Sequence, residues 1–476
     1  MKTFYIFKYI TIVMNDIFTI EKIKKTNTTK EILKGRFGIE REGLRIKKNG
    51  ELSLTKHPKI FGNKIENPLI TTDFSESQIE IITPCLDSIN ETYKILNTLT
   101  DIINTKIPEN EYLWNQSLPC ILPPEDKIPI AKYTGGKKAK KAEEYRQNLV
   151  KKYGTQKQMI SGIHYNFSIA EETIKTLYTK LQSNETYREF KNQLYLKITR
   201  NYFRYGWLIL YLTGSTVAAH QTYTNECISI LENLNQTEYY TKKGPSIRNG
   251  STGYKNQIPL HPRYETLKEY IKDVETFIRE KKLTEAKELY TPIRLKAKDN
   301  ENILESLKTN GIQYIEIRSI DINPFEKIGI NKKDMEILHL FLIYLLLKEE
   351  SEYKDWQTEA DYNYEKIAEY GYQNPTLKKD GTKITFENWA KEITAEIKEL
   401  NKILGLKKDD LIEIMEIRIN NVENTYGKKL IDLIEKEGYI NSNIKIAIEN
   451  KKESKISIKD FDKIDEEYEN IALKLC

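Results

Sequence analysis

Three stretches of the chain place chemically capable side chains two residues apart in segments with strand-like alternation. In GIEREGLRI (38–46), Glu40 and Glu42 point the same way, about 7 Å apart along a strand. In ISGIHYNFS (160–168), His164 and Asn166 share one face, while Ile163, Tyr165 and Phe167 take the other. In YIEIRSIDINPF (314–325), Glu316 and Arg318 share a face opposed by Ile315 and Ile317. A polar strand face ordinarily meets water. Such faces favour Lys, Thr and Ser, whereas these three carry Glu, His, Asn and Arg without a lysine. A fourth segment, TTDFSESQIEIITP (71–84), adds Asp73, Glu76 and Glu80. Asp73 and Glu76 also have the spacing of a helix N-cap and capping box, whereas Glu80 sits in the strand-like QIEIIT.

If Glu40, Glu42, Asp73, Glu80 and Glu316 converge, each like-charge pair at about 5 Å costs roughly 3 kcal/mol at an effective dielectric near 20. Divalent cations remove that penalty. Carboxylate oxygens favour Mg²⁺, with Mn²⁺ as the alternative; His164 leans toward Mn²⁺ or toward a phosphate contact. Other chemistries lack their motifs. There is no GxxxxGK[ST], and TGGKKAK (134–140) lacks the first glycine and the hydroxyl residue. GxGxxG after a strand, GxSxG and HExxH are also missing.

The elements that must position these residues belong to a chain of 476 residues, long enough for a large core. Lys+Arg number 75 and Asp+Glu 70, a net charge of +5 that argues against wholesale polyanion binding. The longest apolar run, Ile337 to Leu347, is too short to span a bilayer and contains His339. Cys85, Cys120, Cys227 and Cys476 show neither CxxC nor zinc spacing, which points to a reducing, cytoplasmic setting. Met14 is a second candidate start, so 1–14 is read as an extra N-terminal segment.

Helices are expected at 16–34, 88–106, 137–153, 186–212 and 264–281, and almost continuously beyond 332, punctuated by Gly371, Gly381 and Gly405. Strands are expected within 36–84, with KNGEL (48–52) as a hairpin connection, and at 159–169, 290–296 and 312–322. Blocks of strands and helices without βαβ units favour α+β with an antiparallel sheet. Seven Lys/Arg between 137 and 152 would suit RNA, but they read more simply as a solvated helix face.

Together GIEREGLR, HPKIFGNKIENPLITTDFSESQIEIITP, LWNQSLPC, ISGIHYNFS, RNYFRYGW and YIEIRSIDINPF resemble glutamate–cysteine ligase of the monofunctional bacterial type. The resemblance runs from about Gly35 to Phe325. Past about 350 it is one of helical character only, without room for an ATP-grasp domain. It implies a glutamine-synthetase-like antiparallel funnel flanked by helices, forming one catalytic domain over 15–476, with 332–476 as its helical part. It also implies ATP-dependent joining of the L-glutamate γ-carboxylate to the L-cysteine amine through a γ-glutamyl phosphate, the first step of glutathione biosynthesis. The alternative is a related carboxylate–amine ligase with another amino-acid acceptor. Carried onto this chain, the family's metal site falls on Glu40, Glu42, Asp73, Glu80, His164 and Glu316. Its amino-acid pocket falls on Phe74, Tyr145, Arg146, Leu149, Gln158, Asn166, Arg248, Tyr254 and Tyr290. Arg294 and Arg318 match ATP-binding positions, and Arg318 with Glu316 the catalytic pair. Partners are then L-glutamate, L-cysteine and ATP, with no nucleic acid or membrane, and the oligomeric state stays open. The loop between His220 and Arg248 is shorter than the family pattern, which bears on acceptor selectivity.

Overall fold

In the computed structural model, which describes residues 18–458, the strand-like stretches join in one antiparallel sheet. The first strands are β1 (Gly35–Lys47), β2 (Ile70–Thr72), β3 (Gln78–Ile82), β4 (Glu111–Leu113) and β5 (Ile163–Ile169). A small separate sheet holds β6 (Ala218–His220), β7 (Glu232–Asn233) and β8 (Glu238–Tyr240). β9 (Ile293–Lys296) and β10 (Tyr314–Ile320) return to the main sheet, whose order is β2-β3-β1-β5-β10-β9, with β4 alongside the end of β1. The α+β architecture anticipated from the blocks of elements is the one observed.

One face of the sheet is core. Ile39, Tyr165, Phe167, Ile315 and Ile317 are all fully buried, because alternation turns them away from the polar face. They share one apolar core with the helices Ile89–Lys106, Tyr187–Tyr205 and Lys332–Leu347. The last of these is apolar almost all round and is buried nearly throughout, so the run 337–347 is a core helix. Its His339 lies between the rings of Phe37 and Phe167, at 5.0 and 5.2 Å, where burial pulls its pKa down to about 3 and keeps it neutral. Among the described residues no helix is long and apolar enough to cross a membrane.

Three expectations change. The helix expected at 16–34 is, within the described part, a short helix Ile20–Lys25 and a separate turn Glu31–Leu33. Asn27, at φ 53°, takes the left-handed conformation that ends the first piece. The capping-box expectation for Asp73 and Glu76 fails, since residues 73–77 are the tight connection between β2 and β3. Glu76 instead accepts from the His57 and Lys132 amides at 2.8 and 2.7 Å and from Lys64 Nζ at 2.6 Å, fastening two loops to that connection. The third change lies beyond 332, where the helices are interrupted by a hairpin of β11 (Thr376–Lys379) and β12 (Thr382–Thr385). Its turn residues Asp380 and Gly381 both have positive φ, 51° and 79°, as a two-residue Asp-Gly hairpin turn requires.

A buried arginine ties the first strand to its surroundings. The Arg45 side chain is fully buried; it pairs with Glu111 and donates to Thr55 Oγ1 at 2.6 Å and to the carbonyls of Thr55, Lys56 and Glu76 at 2.8, 3.0 and 2.9 Å. Removing one partner of a buried pair strands the other charge. Arg45→Met is therefore expected to lower the unfolding free energy by about 3–5 kcal/mol in a denaturant titration. A loss under about 1 kcal/mol would show that Glu111 finds solvent or another partner.

Candidate functional site

The polar faces of the separate strands meet because the register aligns them. Glu42 on β1 is directly opposite Glu80 on β3. Glu40 on β1 faces His164 on β5, and Asn166 on β5 faces Glu316 on β10, which in turn faces Arg294 on β9. One row of side chains thus crosses five strands, with Asp73 overhanging it from the β2–β3 connection. His164 Nδ1 lies 3.0 Å from Glu40 Oε2, and its Nε2 lies 3.6 Å from Glu42 Oε1, linking the two carboxylates. Glu40, His164 and Glu316 each offer a ligand atom within 4.8 Å of the others. Asn166 Nδ2 donates to Glu40 Oε1 at 3.0 Å, while its buried carbonyl oxygen has no partner among the described residues.

The two ends of the row differ electrostatically. Burial and the neighbouring Asp73 push Glu42 up to about 8. Burial, Asp73, Glu40 and Glu42 raise Glu80 well above the usual carboxylate range. At the other end burial and Glu316 act to raise Glu40, but Lys296 and His164 outweigh them and hold it down. Glu316 is held well below the usual range despite burial, by Lys296, Arg318 and Arg294. Burial and Arg318 lower His164, leaving a neutral imidazole able to act as a ligand. Carboxylates that resist ionisation this strongly, beside a neutral imidazole, are a donor set suited to hard divalent cations, whose charge would remove the repulsion.

Most of the expected amino-acid pocket borders this row. From the helix Gly136–Tyr153, Arg146 Nε donates to the Asp73 carbonyl at 2.6 Å and its guanidinium stacks 4.6 Å from the Tyr133 ring. Tyr145, on the same helix, hydrogen-bonds to Tyr290. The Tyr254 hydroxyl lies 2.8 Å from Gln158 Oε1 and 2.7 Å from the Tyr290 hydroxyl. Arg248 donates to the carbonyls of Arg318 and Ile320 at 2.9 and 3.3 Å and approaches the buried Asp321 to 3.6 Å. Two residues stand apart: Phe74 is buried in the smaller core with Trp114 and Met159, and Leu149 is on the buried side of its helix. Arg248, Tyr254, Tyr290 and Arg318 open onto a cavity of about 530 Å³ that extends to His261 and Asp361. The basic helix face is partly neutralised, with Lys138 on Glu301 at 2.7 Å and Lys152 on Glu288.

Three contributors escaped the sequence reading. Lys296 lies beside Glu316, and the alternation of IRLK, which puts it on the Arg294 face, was the available signal. Asp321 braces Arg248, and only the fold brings them together. At Gly162 a Cβ would sit 2.0 Å from Arg248 Nη2, so glycine is what lets the guanidinium lie against the strand. If Arg248 holds the amine substrate, as the family resemblance implies, Gly162→Ala is expected to displace it and raise the Michaelis constant for that amine roughly ten-fold, the scale of one charged hydrogen bond. Steady-state kinetics with unchanged amine affinity would show that Arg248 does not touch that substrate.

Comparison with known proteins agrees with this geometry. The glutamate–cysteine ligase family model matches residues 20–286 and 278–367. A bifunctional glutathione biosynthesis protein of Clostridium perfringens is 40% identical over 434 residues, covering 90% of this chain and 55% of that protein. A glutamate–cysteine ligase of Clostridium acetobutylicum is 33% identical over 431 residues, covering 82% of this chain and 89% of that one. The crystal structure of a Francisella tularensis glutamate–cysteine ligase in complex with AMP superposes with a TM-score of 0.84 at 26% identity over 93% of each chain. The chain spans about half the length of the bifunctional relatives it matches. With the family model covering most of the chain, this protein belongs to the glutamate–cysteine ligase family.

Proposed function

We propose that the chain joins the γ-carboxylate of L-glutamate to the amine of L-cysteine at the expense of ATP. A carboxylate does not react with an amine at neutral pH and must first be activated. A γ-carboxylate oxygen attacks the terminal phosphorus of ATP, the bond to ADP breaks, and a γ-glutamyl phosphate forms. The cysteine nitrogen, as the free amine, then attacks the acyl carbon, its bond to phosphate breaks, and the nitrogen's proton leaves with the departing phosphate, giving γ-glutamylcysteine. The observation that carries this proposal is the row across five strands, rich in unbalanced carboxylates at one end and in cations at the other.

Roles follow from placement. Glu40, Glu42, Asp73, Glu80, His164 and Glu316 would hold divalent ions, Mg²⁺ in the first instance and Mn²⁺ as the alternative. When bound, such ions neutralise phosphate oxygens and orient them for in-line transfer. Arg318 offsets charge on the equatorial oxygens of the transferring group, and Arg294 supports it from β9. Arg248, Tyr254, Tyr290, Gln158, Tyr145 and Arg146 would form the wall that holds the amino acids, while Asn166 orients Glu40. Phe74 and Leu149 would support that wall from behind. Catalysis of this kind is mostly positioning and charge neutralisation.

The proposal treats 15–476 as one catalytic domain. In support, the helix Tyr439–Ser457 lies against Ile89–Lys106, with Asn104 Nδ2 donating to Ser454 Oγ at 3.0 Å and Lys451 Nζ to the Pro108 carbonyl at 2.8 Å. A cytoplasmic setting is part of the same proposal and fits the free thiols of Cys85, Cys120 and Cys227. The test is purified protein with ATP, Mg²⁺, glutamate and cysteine, scored by mass spectrometry for the γ-linked dipeptide; ATP hydrolysis without it would refute the proposal. The second reading, a related ATP-dependent carboxylate–amine ligase with another amino-acid acceptor, differs from the first in the amine alone. ADP release across a panel of amines separates the two.

A further inference from the structure

Glu316 is fully buried and surrounded by three cations: Lys296 Nζ at 2.8 Å, Arg318 Nη1 at 2.9 Å and Arg294 Nη1 at 3.6 Å. The carboxylates at this end are Glu316 and Glu40. Three positive groups against two negative ones leave a surplus, and any divalent ion held by Glu40, His164 and Glu316 enlarges it. A buried surplus of one sign is costly unless a counter-charge arrives. The site therefore anticipates an anion at its β9–β10 end.

The three cations are not equally free to meet that anion. Arg294 is tethered, its Nη2 donating to the Lys287 carbonyl at 2.7 Å and the Leu289 carbonyl at 3.4 Å. Lys296 hydrogen-bonds only to Glu316 among the described residues. It sits two residues from Arg294 on the same face of β9, with a long flexible stem and a compact charge that suits a phosphate oxygen. We propose that Lys296 contacts the terminal phosphates of the nucleotide, holding Glu316 in the ligand-free protein and turning to the phosphate oxygens when nucleotide enters. This rests on the ATP-dependent ligase reading above and adds to it a phosphate contact beyond Arg294 and Arg318.

The test is calorimetric titration of the whole chain, with Mg²⁺, against the imidodiphosphate analogue of ATP and separately against AMP. Lys296→Gln, which leaves Glu316 paired with both arginines, is expected to weaken the analogue about ten- to hundred-fold, as loss of a charged hydrogen bond does, and to leave AMP unchanged. Lys296→Arg keeps the charge beside Glu316 and so keeps the fold. It is expected to recover most of that affinity, and it decides the matter if the glutamine variant does not fold. Unchanged analogue affinity in a folded glutamine variant, or equal losses for analogue and AMP, overturns the assignment. So does an arginine variant that binds no better than the glutamine one. In those cases a wild-type protein that makes the dipeptide leaves the ligase reading standing; a wild-type protein that binds no analogue sinks both.

Discussion

Glu40→Gln is expected to fold normally and to lose ATP-dependent dipeptide formation by roughly 10²–10³-fold, the scale seen when one preorganised electrostatic contact is removed. Glutamine has nearly the shape of glutamate. Its carbonyl can still accept from Asn166, and its amide can donate to the Nδ1 of a neutral His164, so the contacts at 3.0 Å on either side survive. What disappears is a negative charge shared with His164 and Glu316 inside one ligand-sized space. Melting temperature without metal should therefore hold or fall slightly, because Lys296 and His164 lose the ionised carboxylate that they hold. The Mg²⁺ concentration needed for half-maximal stabilisation should rise. Near wild-type turnover with unchanged metal dependence would remove Glu40 from the proposed metal site.

Arg318→Lys is the second large effect, expected as a fall in kcat of about a hundred-fold with a much smaller rise in the Michaelis constant for glutamate. Glu316 keeps the Arg318 guanidinium fully protonated although it is buried, and fixes it with a 2.9 Å contact. A planar fork can bridge two oxygens of a transferring phosphoryl group; an ammonium on a shorter reach cannot reproduce that geometry. If the variant loses glutamate affinity and keeps its turnover, Arg318 binds the ground state and has no special part in transfer. The two substitutions act on the same row of side chains, so their combination is expected to be non-additive.

Alternation of side chains made much of this site readable from the chain. A period of two puts Glu40 with Glu42, His164 with Asn166 and Glu316 with Arg318, and the clean apolar opposite faces of β5 and β10 said which side was core. Pairing partners were a different matter. Nothing local says that Glu42 sits opposite Glu80 rather than elsewhere on the neighbouring strand, since register is set by the whole sheet. Asp73 and Glu76 misled because N-cap spacing also fits a tight strand connection whose polar groups are satisfied from distant loops at His57, Lys64 and Lys132. Asp380-Gly381 was legible as a hairpin turn and was absorbed into a helical stretch because its neighbours are strongly helical in pattern. Lys296 was overlooked in a lysine-rich chain, where a single lysine on an edge strand reads as solvation.

The order in which the row is donated along the polypeptide has a consequence during synthesis. Glu40 and Glu42 leave the ribosome early, Arg294 and Lys296 come late on β9, and Glu316 and Arg318 come last on β10, while the sheet places β5 between β1 and β10. Until that late strand docks, Glu40 and His164 lack Glu316, the third member of their ligand-sized cluster, so a nascent chain arrested before residue 314 should show no tight Mg²⁺ capture. Contacts so distant in sequence also form slowly. Ion uptake would thus report completion of the β-sheet in a refolding or translation-arrest experiment.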